Sequence, residues 1–160
     1  MPSNSSWRQR FVDCCEAIFR ELGFPPPEML HDDALPLAME LEYHSGMFEL
    51  LHSPVDMPDR VLICCKLGKV PEENFFNGTK LLLESNLNLM RAHAACFGIS
   101  LSTQFVHCMY YQRLDQWNTR DVLEKMRFVF NDSMNWKEQY FSNKEISSSS
   151  NISLKNFSLA

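Results

Sequence analysis

The sequence predicts one α+β domain with the element order α-β-β-β-α-β-β-α. Three observations carry that expectation: apolar residues switch between helical spacing and strict alternation, prolines and glycines fall where the spacing switches, and 160 residues suit one core. A composition of 45% hydrophobic and 22% charged residues can fill that core without a disulfide scaffold.

From the N-terminus, Trp7, Phe11, Cys14, Cys15, Ile18 and Leu22 recur at helical spacing, with Arg8, Asp13, Glu16, Arg20 and Glu21 opposite. They predict an amphipathic helix over Ser6–Leu22, stopped by Gly23 and the run Pro25-Pro26-Pro27. From Leu35 the period becomes two: Leu37, Met39, Leu41 and Tyr43 share one side, and Ala38, Glu40, Glu42 and His44 the other. Pro36 places the start of this strand at a sheet edge. Ser45-Gly46 is expected to turn the chain into a second strand, Met47–Ser53, where Phe48 and Leu50 continue the alternation. Between Pro58 and Gly68, Arg60–Leu67 is apolar on both sides, the pattern of a central strand.

Pro71-Glu72-Glu73 suits the first turn of a second helix, because proline needs no N–H there and carboxylates favour the positive end of the dipole. That helix carries Phe75, Phe76, Thr79, Leu82, Leu83, Asn86, Leu87 and Met90 as one wide face, in which Asn86 is either a specificity device or a hydrogen-bonded core residue. Ala94–Ser102 and Phe105–Arg113 predict two further strands joined at Ser102-Thr103-Gln104, and Asn118 or Thr119 caps a last helix reaching Phe141. The expected domain is thus 1–141. Residues 142–160, dominated by Ser and Asn, are expected to form a flexible tail.

A net charge of −5 repels phosphate backbones, so nucleic acid is not an expected partner. The first residues lack the apolar core of a signal peptide, and no run approaches the ~20 apolar residues that span a bilayer, so the expected location is the cytoplasm, without membrane insertion. In a reducing compartment the six cysteines read as small buried apolar groups. Phosphate-binding, nucleophile-elbow and zinc-protease motifs are absent. His93 with Cys96, and His107 beside Cys108, read as packing residues, while Asp32-Asp33 and Glu40 with Glu42 read as solvated carboxylates. No catalytic activity, cofactor or metal is therefore expected.

Apolar side chains are in surplus. Trp7, Phe11, Ile18 and Phe19 on the first helix, with Phe48, Leu50 and Leu51 on the hairpin, are expected to exceed what one small core absorbs and so to meet a protein partner.

Leu67-Gly68-Lys69-Val70-Pro71, Leu82-Leu83-Glu84-Ser85-Asn86-Leu87 and Phe97-Gly98-Ile99-Ser100, in this order and spacing, resemble the strand exit, long helix and fourth strand of the class I type III secretion chaperones, the Tir-chaperone family. The resemblance spans about Trp7–Phe141. It implies a twisted antiparallel sheet with three helices, a homodimer, and a cytoplasmic bacterial protein that binds the unfolded N-terminal region of one or several secreted effectors and targets them to the secretion apparatus. It also implies contact with the export ATPase for some members. Cargo contacts are then expected at Phe11, Ile18 and Phe19 of the first helix and at Leu41, Phe48, Leu50, Val61 and Ile63 of the first three strands. The dimer interface is expected at Leu82, Ser85, Asn86 and Leu89, with Phe97, Ile99, Val106 and Cys108. The competing expectation is a dimeric α/β adaptor or regulator that binds a folded protein.

Overall fold

A computed structural model describes residues 4–27, 35–100 and 102–140. The expected tail lies outside the described residues, as do Asp32 and Asp33. Helix α1 spans Asn4–Glu21 and buries Phe11, Cys14, Cys15 and Ile18 along one stripe. It ends where Gly23 adopts φ 79°: the Phe24 N–H donates to the Phe19 carbonyl at 2.9 Å and the Gly23 N–H to Arg20 at 3.1 Å, the paired bonds of a Schellman stop.

Strands β1 (Leu37–Tyr43) and β2 (Gly46–His52) form the antiparallel hairpin, closed by the pair Tyr43 and Gly46. The turn sits one residue earlier than expected, on His44 and Ser45, whose φ values of 49° and 64° suit the mirror-image turn that matches strand twist. Gly46 belongs to the strand instead, paired with Tyr43, and a Cβ there would lie 2.5 Å from Phe130 Cδ2. Strand β3 (Arg60–Lys69) is central, as its two apolar faces predict, with its register shifted between Lys66 and Gly68.

Pro71 opens a short 3-10 turn, Glu72–Asn74, rather than the helix itself, and α2 runs Phe75–His93. Ala94 ends α2 in the left-handed conformation. Strand β4 is consequently shorter than expected, Ala95–Ile99, and the Gln104 N–H donates to the Ser100 carbonyl at 2.7 Å ahead of β5, Phe105–Arg113. Helix α3 spans Thr119–Tyr140; Asn118 is its cap, accepting the Arg120 N–H at 3.1 Å and the Asp121 N–H at 3.4 Å.

The five strands form one antiparallel sheet in the order β1-β2-β3-β5-β4. Helices α1 and α3 cover one face: Phe11 stacks on His52, Phe130 meets Phe48, and Trp136 packs 5.3 Å from Phe97. The inward strand positions Met39, Leu41, Val106, Cys108 and Tyr110 are buried beneath them, while Tyr43 and Ile99 are half-buried. Helix α2 lies at the β4 edge, inserting Leu82 and Leu89 into the same core.

Candidate partner-binding site

The structure places most of the expected cargo positions in the core. Phe11, Ile18, Leu41, Phe48, Leu50, Val61 and Ile63 are core residues, because α1 and α3 close over the face that carries them. Phe19, with Trp7 and Leu22, is half-buried at the rim of the core. Of the expected dimer positions, Leu82, Leu89, Phe97, Val106 and Cys108 are buried within the protomer, and Ser85, Asn86 and Ile99 are half-buried.

The apolar surplus lies elsewhere. On α2, Phe76, Leu83, Leu87 and Met90 recur at seven, four and three, and are 81%, 64%, 71% and 61% exposed. They form a stripe beside the inward line of Leu82 and Leu89. The expected wide face holds Leu82 together with these exposed residues, since spacing alone does not say which half of a broad apolar arc finds a neighbour.

The second surface is the sheet face that no described helix covers. Register builds it in rows: Ala38, Leu51, Leu62 and Tyr111; then Glu40, Glu49, Cys64, Met109 and Cys96; then Glu42, Met47, Lys66, His107 and Gly98. Leu51, Leu62 and Met109 are half-buried, Tyr111 and Met47 exposed. Carboxylates gather at the β1 side, where Lys66 Nζ donates to Glu40 at 2.6 Å and lies 4.0 Å from Glu49. The outcome for Glu40 is a solvated ion pair on a strand's polar side.

The third surface is a strand edge. Both β1 and β4 are terminal in the sheet, but the outward groups of Phe97 on β4 are taken by Asn86 of α2, at 2.6 Å and 3.1 Å. Among the described residues no strand pairs with the outer side of β1, whose start is tied to α1 by the buried Arg8 guanidinium donating to the Leu35 carbonyl. Unpaired N–H and C=O groups in a row are a template for an added strand.

Chemistry of the thiols runs against nucleophilic use. Burial pushes Cys14 and Cys64 up to about 11 and Cys65 and Cys108 up to about 12, and raises Cys15 further. Among the described residues no three His, Cys, Asp or Glu side chains converge on a metal-sized space, and no helix is long and apolar enough to cross a membrane. A shallow cleft at Leu22, Tyr43, His44 and Leu123 is rimmed by the exposed Arg120–Glu21 pair at 2.9 Å.

No family model and no curated protein matches the chain. Solved structures do. A chain of the ExsC-ExsE complex aligns at TM-score 0.62 and 13% identity, over 82% of this chain and 94% of that one. A chain of the HopA1-SchA chaperone-effector complex aligns at 0.60 and 17% identity, over 86% and 99%. A chain of the heterodimeric ExoU-SpcU complex, from the type III secretion system of Pseudomonas aeruginosa, aligns at 0.56 and 13% identity, over 78% and 96%. The three-helix, five-strand antiparallel α+β fold is therefore shared with these three chains along nearly their whole length.

Proposed function

We propose that this chain is a type III secretion chaperone that binds the unfolded N-terminal region of effector proteins, keeps it export-competent and catalyses no reaction. One observation carries the reading: a fold shared with a chain of a chaperone-effector complex has, among the described residues, an unpaired strand edge and apolar side chains outside its own core. A disordered cargo segment loses roughly 1–2 kcal/mol per ordered residue, a cost offset when ~1,000–3,000 Å² is buried. The edge of β1 would supply backbone pairing, and the uncovered sheet face with rim residues Trp7, Phe19 and Leu22 would supply side-chain contacts.

The protomers would pair through the exposed stripe of α2, which packs by β4 at the opposite end of the sheet from β1 and so would leave both β1 edges open. A stable interface of this kind needs about 800 Å² per partner. The assembly would act in the bacterial cytoplasm, serve one or several effectors and pass cargo to the export ATPase.

Co-expression with N-terminal effector fragments tests the proposal. The expected result is a complex in which the fragment stays sensitive to dilute protease outside a protected segment of β1-edge length. Capture of folded partners alone would make the chain an adaptor instead.

A further inference from the structure

The free edge of β1 carries a chemical bias that backbone pairing alone does not set. Along Leu37–Tyr43 the helix-side positions are Leu37, Met39, Leu41 and Tyr43, and the open-face positions are Ala38, Glu40 and Glu42. A strand added beside β1 continues both faces, because side chains alternate and cross-strand neighbours on one face sit about 4.5–5.5 Å apart. Its inward side chains would extend the layer of Met39 and Leu41 towards half-buried Phe19 and Leu22. Its outward side chains would stand opposite Glu40 and Glu42, with Glu49 one strand further in. Lys66, the cation of that corner, already holds Glu40 at 2.6 Å and leaves its sign acidic.

We infer that the β1 edge selects extended segments that alternate apolar with basic residues, Glu40 and Glu42 being the residues that set this preference. The inference rests on strand addition at β1, as proposed above. Opposite charges on facing strand positions attract and like charges repel, so selectivity comes from both sides.

The test uses the full chain and three labelled peptides of alternating isoleucine and threonine, in which two central threonines are kept, changed to lysine or changed to glutamate. Fluorescence anisotropy should rank them lysine, threonine, glutamate, with about a tenfold gap between the extremes at low salt. Salt near 1 M should shrink the gap, where the screening length is roughly 3 Å. In a Glu40→Lys/Glu42→Lys variant the ranking should reverse, while circular dichroism stays unchanged. Equal binding of all three peptides, or a ranking that survives the charge reversal, overturns the basic preference and leaves strand addition standing. Failure of every peptide to bind or to protect β1 amides from exchange sinks strand addition and the preference together.

Discussion

The side-chain amide of Asn86 stands in for a neighbouring strand: its nitrogen donates to the Phe97 carbonyl at 3.1 Å and its oxygen accepts the Phe97 N–H at 2.6 Å. Edges left open recruit foreign strands, and here a helix residue occupies both groups of the central β4 position. Replacing it with leucine should strand two half-buried backbone groups and cost about 1–3 kcal/mol in urea unfolding. The Phe97 amide should then exchange faster with solvent, while Asn86→Asp, which keeps the acceptor, should protect that amide better than leucine does. Unchanged exchange at Phe97 would contradict the role.

Exposed Leu83 and Leu87 and buried Leu82 are neighbours in sequence with opposite expected phenotypes. Glutamate at 83 and 87 should leave the protomer's circular dichroism intact and convert a dimer to monomer in sedimentation. Leu82→Ala should instead cost about 2–5 kcal/mol of stability through the cavity it leaves. A double glutamate variant that sediments as the parent does would remove α2 from the interface.

Much of this architecture is legible in the residues. Alternation in 37–43 and 105–111, the double apolar face of 61–65 and the stops at Gly23 and Pro71 give seven elements in their observed order plus the closing helix. Boundaries fail where local backbone conformation decides them: Gly46 looks like a turn residue, but His44 and Ser45 take the positive φ values, and Ala94 looks like a strand residue until its left-handed conformation closes α2. The partner surface is the least legible part. Phe11, Phe48 and Leu50 are as apolar as Leu83 and Leu87, and only the packing of α1 and α3 over one sheet face separates core from surface. Charge alternation of Glu40 and Glu42 was readable, but its bearing on a strand edge needed the order of the sheet.

Gly46 faces Phe130 and Phe48 so closely that an added Cβ would approach Phe130 Cδ2 at 2.5 Å, Cε2 at 2.7 Å and Phe48 Cε2 at 3.1 Å. Gly46→Ala should therefore lower the thermal midpoint, with overpacking costing about 1–3 kcal/mol. The companion Gly46→Ala/Phe130→Leu should recover part of that loss, because the clash is with one ring. No recovery would place the strain in the backbone instead.

His52 is fully buried, stacked on Phe11 at 5.2 Å, with Nε2 2.9 Å from the Pro58 carbonyl. Burial lowers its pKa below the ordinary value; the Pro58 carbonyl opposes this and the Arg8 charge adds to it. The unfolded chain then binds the proton more readily than the folded one. Stability from this group is complete above the unfolded value near about 6.5 and is lost as pH falls below it, at up to about 1.4 kcal/mol per pH unit. His107 is shifted in the same direction, by burial first and then by Lys66. The urea midpoint should stay level from pH 8 to 7 and drop towards pH 5, and His52→Gln and His107→Gln should each flatten the drop. An acid slope untouched by both substitutions would assign it to other groups.

Thiol reactivity separates a packing role from a catalytic one. With Cys14 and Cys64 pushed up to about 11 and Cys65 and Cys108 to about 12, the thiolate fraction at pH 8 is at most about one in a thousand. Cys14, Cys15, Cys65 and Cys108 are also closed to reagents by the helix layer, whereas Cys64 and Cys96 sit half-buried on the uncovered sheet face. Iodoacetamide should modify the native chain slowly, reaching Cys64 and Cys96 first, and should reach the four buried thiols only at the rate of unfolding. Denaturation in urea should expose all six. Fast stoichiometric labelling of a single buried cysteine in the native chain would reveal an activated nucleophile, and with it a chemistry that a binding surface has no use for.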